Sequence, residues 1–258
     1  MTTKLPLSRS VGGMAAALLA MIASMPALAQ PIAITGATLA IGDGSEPVRG
    51  GTVVIDAGKV VAAGTGIAVP AGAKVIDAAG KWVTPGLVSG FSRVGLAEVP
   101  AVTETNDISA NSPFSAAIDV APAINPLANP IAISRTGGVT RAVVAPAAAS
   151  GIFGGQGAVI DLGADMSPIT KARAFEYVEM GEAGAAEAGG SRAAMILTFR
   201  MMLRQAQDYA KAPASFDGNS RDALLNRVDA EALVPVVTGA MPLMVHVESA
   251  RDILTVLS

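Results

Sequence analysis

The sequence predicts a mixed α/β chain in which a small sheet of short strands precedes a larger region of strand and helix units. Three observations lead there. Between residues 31 and 84, short β-branched runs alternate with glycine-bearing turns, which reads as a small antiparallel sheet or sandwich. Beyond Pro85, short apolar runs are separated by longer stretches, the pattern of βα units on a parallel sheet. Residues 191–211 carry apolar side chains at intervals of three and four, which is the signature of an amphipathic helix.

Taken in order, residues 1–29 read as a cleavable signal peptide. Lys4 and Arg9 form a basic start, residues 11–23 form the apolar stretch, and Ala27-Leu28-Ala29 is the small-x-small cleavage site. Cleavage is expected after Ala29, which implies a bacterial periplasmic or secreted protein. The apolar stretch is short for a membrane anchor, since a span needs about 20 apolar residues. Ile32-Ala33-Ile34, Thr38-Leu39-Ala40 and Thr52-Val53-Val54-Ile55 are then strand candidates. Asp56-Ala57-Gly58-Lys59 is a turn with glycine available for a positive φ, so Val60-Val61-Ala62-Ala63 returns as a hairpin. Lys74-Val75-Ile76-Asp77 and Lys81-Trp82-Val83 complete this part.

In the second region, Leu87-Val88, residues 138–144 and residues 158–162 are the first strands. Residues 98–130 are rich in Pro, Asn and Ser and read as a long loop. Ser191 is the expected N-cap of the helix that follows, whose Met195, Phe199, Met202, Ala206 and Tyr209 form a core stripe. Residues 213–219 read as a connection or tip. Residues 229–239 read as a short helix interrupted by Pro235, residues 242–247 as a strand, and Ser249 as the cap of a last helix. A parallel α/β domain rarely stops so soon after a strand, so the chain reads as part of a longer protein.

Composition narrows the chemistry. Hydrophobic residues make up 51% and charged residues 15%, enough apolar surface for a large core. The net charge of −3 argues against nucleic acid or anionic membranes as partners, because both reward clustered Lys and Arg. With no cysteine and one histidine, His246, the chain has no thiolate chemistry and cannot assemble a multi-histidine metal site.

The run Ile34-Thr35-Gly36-Ala37-Thr38-Leu39, the hairpin at Asp56-Ala57-Gly58-Lys59-Val60, and Val75-Ile76-Asp77 leading into Thr84-Pro85-Gly86-Leu87-Val88 together resemble the start of the amidohydrolase superfamily. Gly138-Val139-Thr140-Arg141, Gly154-Gly155-Gln156-Gly157 and Leu243-Met244-Val245-His246-Val247 resemble its imidazolonepropionase-like branch. The resemblance implies a TIM-like (β/α)8 barrel with a small β-sandwich built from both chain ends. On that reading residues 30–84 are the N-terminal part of the sandwich, and residues 85–258 are an incomplete barrel of about five strands. It also implies catalysis by one or two divalent metals at the C-terminal mouth of the barrel. Where the family has Asp-x-His-x-His after the first strand, this chain has Ser89-Gly90-Phe91-Ser92-Arg93. Phe91 offers no lone pair and Arg93 no acceptor, so the first metal motif is degenerate. His246 matches the family histidine at the end of the fifth strand, a metal-ligand candidate weighed against a satisfied strand-end histidine.

Other constellations carry less. Gly154, Gly155, Gln156 and Gly157 read as a loop bordering the pocket, without the helix start of a phosphate site. Glu98, Glu104, Asp107 and Asp119 can supply oxygen ligands for a hard cation, but a solvated loop explains them more simply. Glu248 and Asp252 serve the dipole of the last helix. Gly190-Ser191-Arg192 lacks the frame of a nucleophile elbow. The expected function is hydrolysis of non-peptide carbon–nitrogen bonds in a small molecule, with at most one zinc-like ion in a reduced site. The alternatives are a non-catalytic binding module and an inactive fragment.

Overall fold

The computed structural model describes residues 30–99, 101–108 and 111–257. The signal-peptide segment lies outside the described residues. The chain divides into two compact units, one ending at Pro85 and the other beginning at Gly86.

The first unit is one five-stranded mixed sheet built on β1 (Ile32–Leu39). β2 (Val48–Asp56) pairs antiparallel with β1, and β3 (Lys59–Gly64) antiparallel with β2. The hairpin forms because Ala57 and Gly58 both take positive φ, at 48° and 75°, the left-handed pair a two-residue turn demands. β4 (Lys74–Asp77) and β5 (Trp82–Val83) both pair parallel to β1, which corrects the antiparallel expectation. The reason is the segment after Gly64. It returns the chain past Pro70 to the start of β1, where the Lys74 amide bonds the Pro31 carbonyl at 2.8 Å, so the new strand runs in the same direction. Ala37, Leu39, Val53 and Ala78 form its buried core.

The second unit is a curled sheet with helices. β6 (Leu87–Ser92) and β7 (Val139–Val144) pair in parallel. β8 (Phe153–Asp161) then runs antiparallel to β7, and β9 (Ile169–Glu179) antiparallel to β8. β10 (Leu243–His246) joins β9 in parallel, giving the order β10-β9-β8-β7-β6. The sheet is therefore mixed, and the all-parallel expectation fails at β8. Only a short segment containing Pro146 and Gly151 joins β7 to β8, and a parallel crossover needs a dozen residues or more, so the returning strand is antiparallel.

The helices follow local signals. α1 (Asn129–Thr136) begins with Pro130 in its first turn and stops at Gly137 and Gly138, the latter at φ 87°. α2 (Glu182–Glu187) is short. α3 (Arg192–Lys211) is capped by the Ser191 hydroxyl, which accepts from the Ala194 amide at 3.2 Å. Its buried Met195, Met202, Ala206 and Tyr209 pack with Phe153, Val178, Leu225 and Leu233 in the largest core cluster. Each fully buried Met, Phe, Val or Leu among them contributes about 1.5–3 kcal/mol of transfer free energy. The expected short helix is two, α4 (Arg227–Ala232) and α5 (Val234–Val237), which meet at Leu233. α6 (Ala250–Val256) is capped by Ser249, whose hydroxyl accepts from the Asp252 amide at 3.1 Å. The long segment before α1 is more than a solvated loop. Its Leu96, Val120 and Ile124 pack with Ala142, Val144, Ala158 and Ile160 of β7 and β8.

Candidate functional site

Four of the five strands of the second unit point the same way, so β6, β9 and β10 deliver their last residues to one rim. A flat five-stranded sheet would hold its edge strands about 19 Å apart, at roughly 4.8 Å per step. Here the Phe91 ring of edge strand β6 lies 6.2 Å from the His246 ring of edge strand β10, nearly parallel at 12°. The sheet is thus curled into a half-barrel, and its concave face brings together residues far apart in sequence. Phe91 also lies 6.0 Å from the Tyr177 ring of β9.

Tyr177, Glu179 and His246 form a hydrogen-bonded line. The Tyr177 hydroxyl donates to Glu179 Oε2 at 2.9 Å, and the Gly181 amide donates to Glu179 Oε1 at 3.3 Å. His246 Nδ1 lies 2.9 and 3.0 Å from the two oxygens of Glu179. With a carboxylate on Nδ1, the metal-free ring favours the tautomer that donates from Nδ1, and an ion shared with Glu179 and Glu248 would take the place of that proton. Burial pushes the Tyr177 phenol well above its ordinary value, and the hydrogen bond and charge of Glu179 add to it. Arg93 acts on the same hydroxyl in the opposite sense. Tyr177 therefore remains a neutral donor to Glu179.

Glu248 completes the rim. Its Oε1 lies 3.9 Å from His246 Nδ1, and its Oε2 accepts from the Glu182 amide at the start of α2 at 3.0 Å. Gly181 makes room for it, since a Cβ there would occupy the place of the Glu248 carboxylate. Glu179, His246 and Glu248 each offer one ligand atom within 4.8 Å of the others. A tetrahedral site with bonds of about 2.1 Å needs ligand atoms about 3.4 Å apart, and the observed 2.9 and 3.9 Å bracket that value. One imidazole and two carboxylates are a chemically suitable donor set for a zinc-like ion, with Tyr177 as the outer partner that orients Glu179.

The residues singled out in the sequence are only partly brought together. Phe91, Arg93 and His246 meet at the rim. Gly154, Gly155, Gln156 and Gly157 lie inside β8 and are not a loop, a correction with a packing cause. A Cβ on Gly157 would stand inside the Phe175 ring of the neighbouring strand, and one on Gly154 would approach Tyr177 Cδ1 to 2.8 Å. These glycines let aromatic rings of β9 lie flat on β8, and Gly155, at φ 113°, marks the irregular register between the two strands. Asp119 is tied to Arg173 at 2.9 Å. Asp252 pairs with Arg192 at 3.2 Å. The residues that sequence reasoning missed are Tyr177 and Glu179, because β9 itself was not foreseen. The signal was the run Phe175-Glu176-Tyr177-Val178, aromatic and β-branched but interrupted by one acid.

The structure is similar to the crystal structure of an amidohydrolase from Thermotoga maritima MSB8. The TM-score is 0.73 at 25% sequence identity, over 88% of this chain and 60% of that one. A local match to molinate hydrolase, 39% identical, covers 28% of this chain and 16% of that protein with a TM-score of 0.26, too little to define a fold. No protein-family model and no curated protein sequence matches the chain. The fold is therefore that of an amidohydrolase, and the chain spans 60% of the length of the Thermotoga maritima structure. Among the described residues, no helix is long and apolar enough to cross a membrane.

Proposed function

We propose that this chain is the N-terminal part of an exported amidohydrolase, a TIM-like barrel with a small β-sandwich, that hydrolyses non-peptide carbon–nitrogen bonds in small molecules through a reduced metal site. The observation that carries this reading is the Glu179–His246–Glu248 group at the strand-end rim of an amidohydrolase fold. A divalent ion held there would supply Lewis acidity toward the scissile carbonyl. The chain's own residues do the rest. Glu179 holds the His246 ring in one tautomer, Tyr177 holds Glu179, and Glu248 is fixed by the start of α2. The degenerate positions Phe91 and Arg93 stand on the β6 side of the rim. They leave the ligand atoms to β9, β10 and the residue pair beyond.

The test is zinc titration of the purified protein by calorimetry, together with hydrolysis of cyclic amides, for the native protein, His246→Ala and Glu179→Gln. The reading expects about one equivalent of zinc, lost in His246→Ala. Unchanged metal retention and activity in His246→Ala would remove His246 from the mechanism. A non-catalytic binding module is the second reading, and Phe91 and Arg93 favour it, because they put an aromatic ring and a positive charge at the rim beside His246. A protein that takes up no zinc and hydrolyses nothing, yet binds a small ligand, would decide for it.

A further inference from the structure

We propose that Arg93 is a positioning residue of the rim: its guanidinium donates to the Tyr177 hydroxyl, which directs that hydroxyl's own proton to Glu179 and so holds Glu179 in place for His246 and a divalent ion. This deepens the metal-site reading and rests on it for the ion alone.

The direction of each hydrogen bond follows from what each group can offer. A guanidinium has N–H donors and no acceptor, whereas a phenol has a single O–H to give and lone pairs that receive. Arg93 meets the Tyr177 hydroxyl both as a charge and as a hydrogen-bond partner, so the phenol oxygen is the acceptor there. The phenol proton then goes the other way, to Glu179 Oε2 at 2.9 Å. Glu179 Oε1 faces the Gly181 amide at 3.3 Å and His246 Nδ1 at 2.9 Å. With a donor on each oxygen, the carboxylate cannot swing away from the imidazole. Remove the guanidinium, and the phenol proton is free to turn to water.

The end of β6 is built for this role. Arg93 directly follows the strand, and its Cζ lies 6.0 Å from the centroid of the Phe91 ring, within the range of a cation–π contact. The same ring lies 6.0 Å from the Tyr177 ring and 6.2 Å from the His246 ring. Phe91 thus neighbours the guanidinium, the phenol and the imidazole together. At positions 91 and 93 the strand end offers no metal donor, yet it supports the donors that β9 and β10 carry. A bare charge at Arg93 and a positioning role predict opposite signs. A fixed cation repels a divalent ion, so its loss would tighten zinc binding. An outer partner that orients a ligand favours the ion, so its loss weakens zinc binding.

Arg93 is exposed, so Arg93→Met keeps an unbranched stem and removes every donor without disturbing the core. Zinc is titrated calorimetrically into the native protein, Arg93→Met, Arg93→Lys, Tyr177→Phe and the double variant Arg93→Met/Tyr177→Phe, with circular dichroism confirming that each is folded. Arg93→Met is expected to bind zinc about ten-fold more weakly, and Arg93→Lys, still a cationic donor, to recover part of the loss. The double variant is expected to bind no more weakly than Tyr177→Phe alone, because Arg93 acts through that hydroxyl. Unchanged or tighter zinc binding in Arg93→Met overturns the proposal, as do losses that add in the double variant. A second readout needs no metal. His246 is the only histidine, so nitrogen NMR of the metal-free, histidine-labelled protein reports its tautomer without overlap. At about pH 8, where an ordinary imidazole is neutral, the Nδ1–H form is expected to dominate in the native protein. Its share should fall in Arg93→Met and in Tyr177→Phe, and an equal share in all three overturns the relay. The two readings fail separately. A native protein that binds no zinc but shows the Arg93-dependent tautomer sinks only the metal site, and zinc binding indifferent to Arg93 sinks only the positioning role.

Discussion

Two regions on either side of β9 bury carboxylates under opposite conditions. At the concave rim, Glu179 accepts from Tyr177 and Gly181 and faces His246, so its oxygens are occupied by donors. Three residues earlier, Glu176 is fully buried and neither of its oxygens has a hydrogen-bond partner. Burial drives its carboxyl well above the usual range, and the nearby charge of Asp229 drives it further. Asp229 is the counter-example in the same core. It is buried and accepts from the amides of Ser115 and Ala117 and from Asn226 Nδ2, at 3.0, 2.8 and 2.6 Å. Burial alone therefore does not decide whether an acid in this protein finds hydrogen-bond donors. Asp229, Glu179 and Asp252, which accepts from Arg192, have them, and Glu176 does not.

The strongest way to break the comparison is Asp229→Ala. It strips the donors of Ser115, Ala117 and Asn226 of their acceptor and removes the carboxylate that orients Asn226, the cap of α4, so we expect a loss of about 3 kcal/mol or more in urea unfolding. A loss below about 1 kcal/mol would mean those donors find water. Gly157→Ala tests the concave side, where a methyl group must displace the Phe175 ring. We expect about 2 kcal/mol of destabilisation from overpacking, read from the thermal midpoint.

Glu176→Met should act in the other direction. A raised folded-state pKa means that the folded form binds the proton more tightly than the unfolded form. The contribution of Glu176 is then fully present below the ordinary value of 4.5 and is lost as pH rises toward the folded value. Removing the acid should flatten that decline and stabilise the protein at pH 8 by about 1–2 kcal/mol, the cost of an uncompensated buried polar group. Urea titrations at pH 5 and pH 8 measure it, and an identical pH slope in the variant would show that Glu176 has a donor after all. The smallest effect is expected for Tyr177→Phe, about 1 kcal/mol in stability for one lost hydrogen bond. If Glu179 holds a metal, the same variant should also bind zinc about ten-fold more weakly, because Glu179 loses its outer partner.

Local chemistry carried most of the element list. The Ala57-Gly58 turn, the Ser191 and Ser249 caps, and the stripe of Met195, Met202, Ala206 and Tyr209 were all readable, because each depends on residues within a turn or two of chain. β9 was not readable, since its Ala174–Glu179 stretch is buried on both faces and shows no alternation. Missing it removed Glu179 from view, and with it the group around His246. The glycines of β8 misled for a related reason. Glycine marks a loop when nothing lies beside it, but here Phe175 and Tyr177 lie across it.

The sequence by itself determined the short strands of the first unit, the apolar α3 stripe, and the single histidine at a strand end. Only the tertiary structure decided that β8 turns back antiparallel, that β6 and β10 curl toward each other, and that Glu179 and Tyr177 stand beside His246. Helix caps and turns are settled by neighbours along the chain. Strand direction, sheet curl and the meeting of residues 67 positions apart are settled by which surfaces must be buried together, and no local pattern records that.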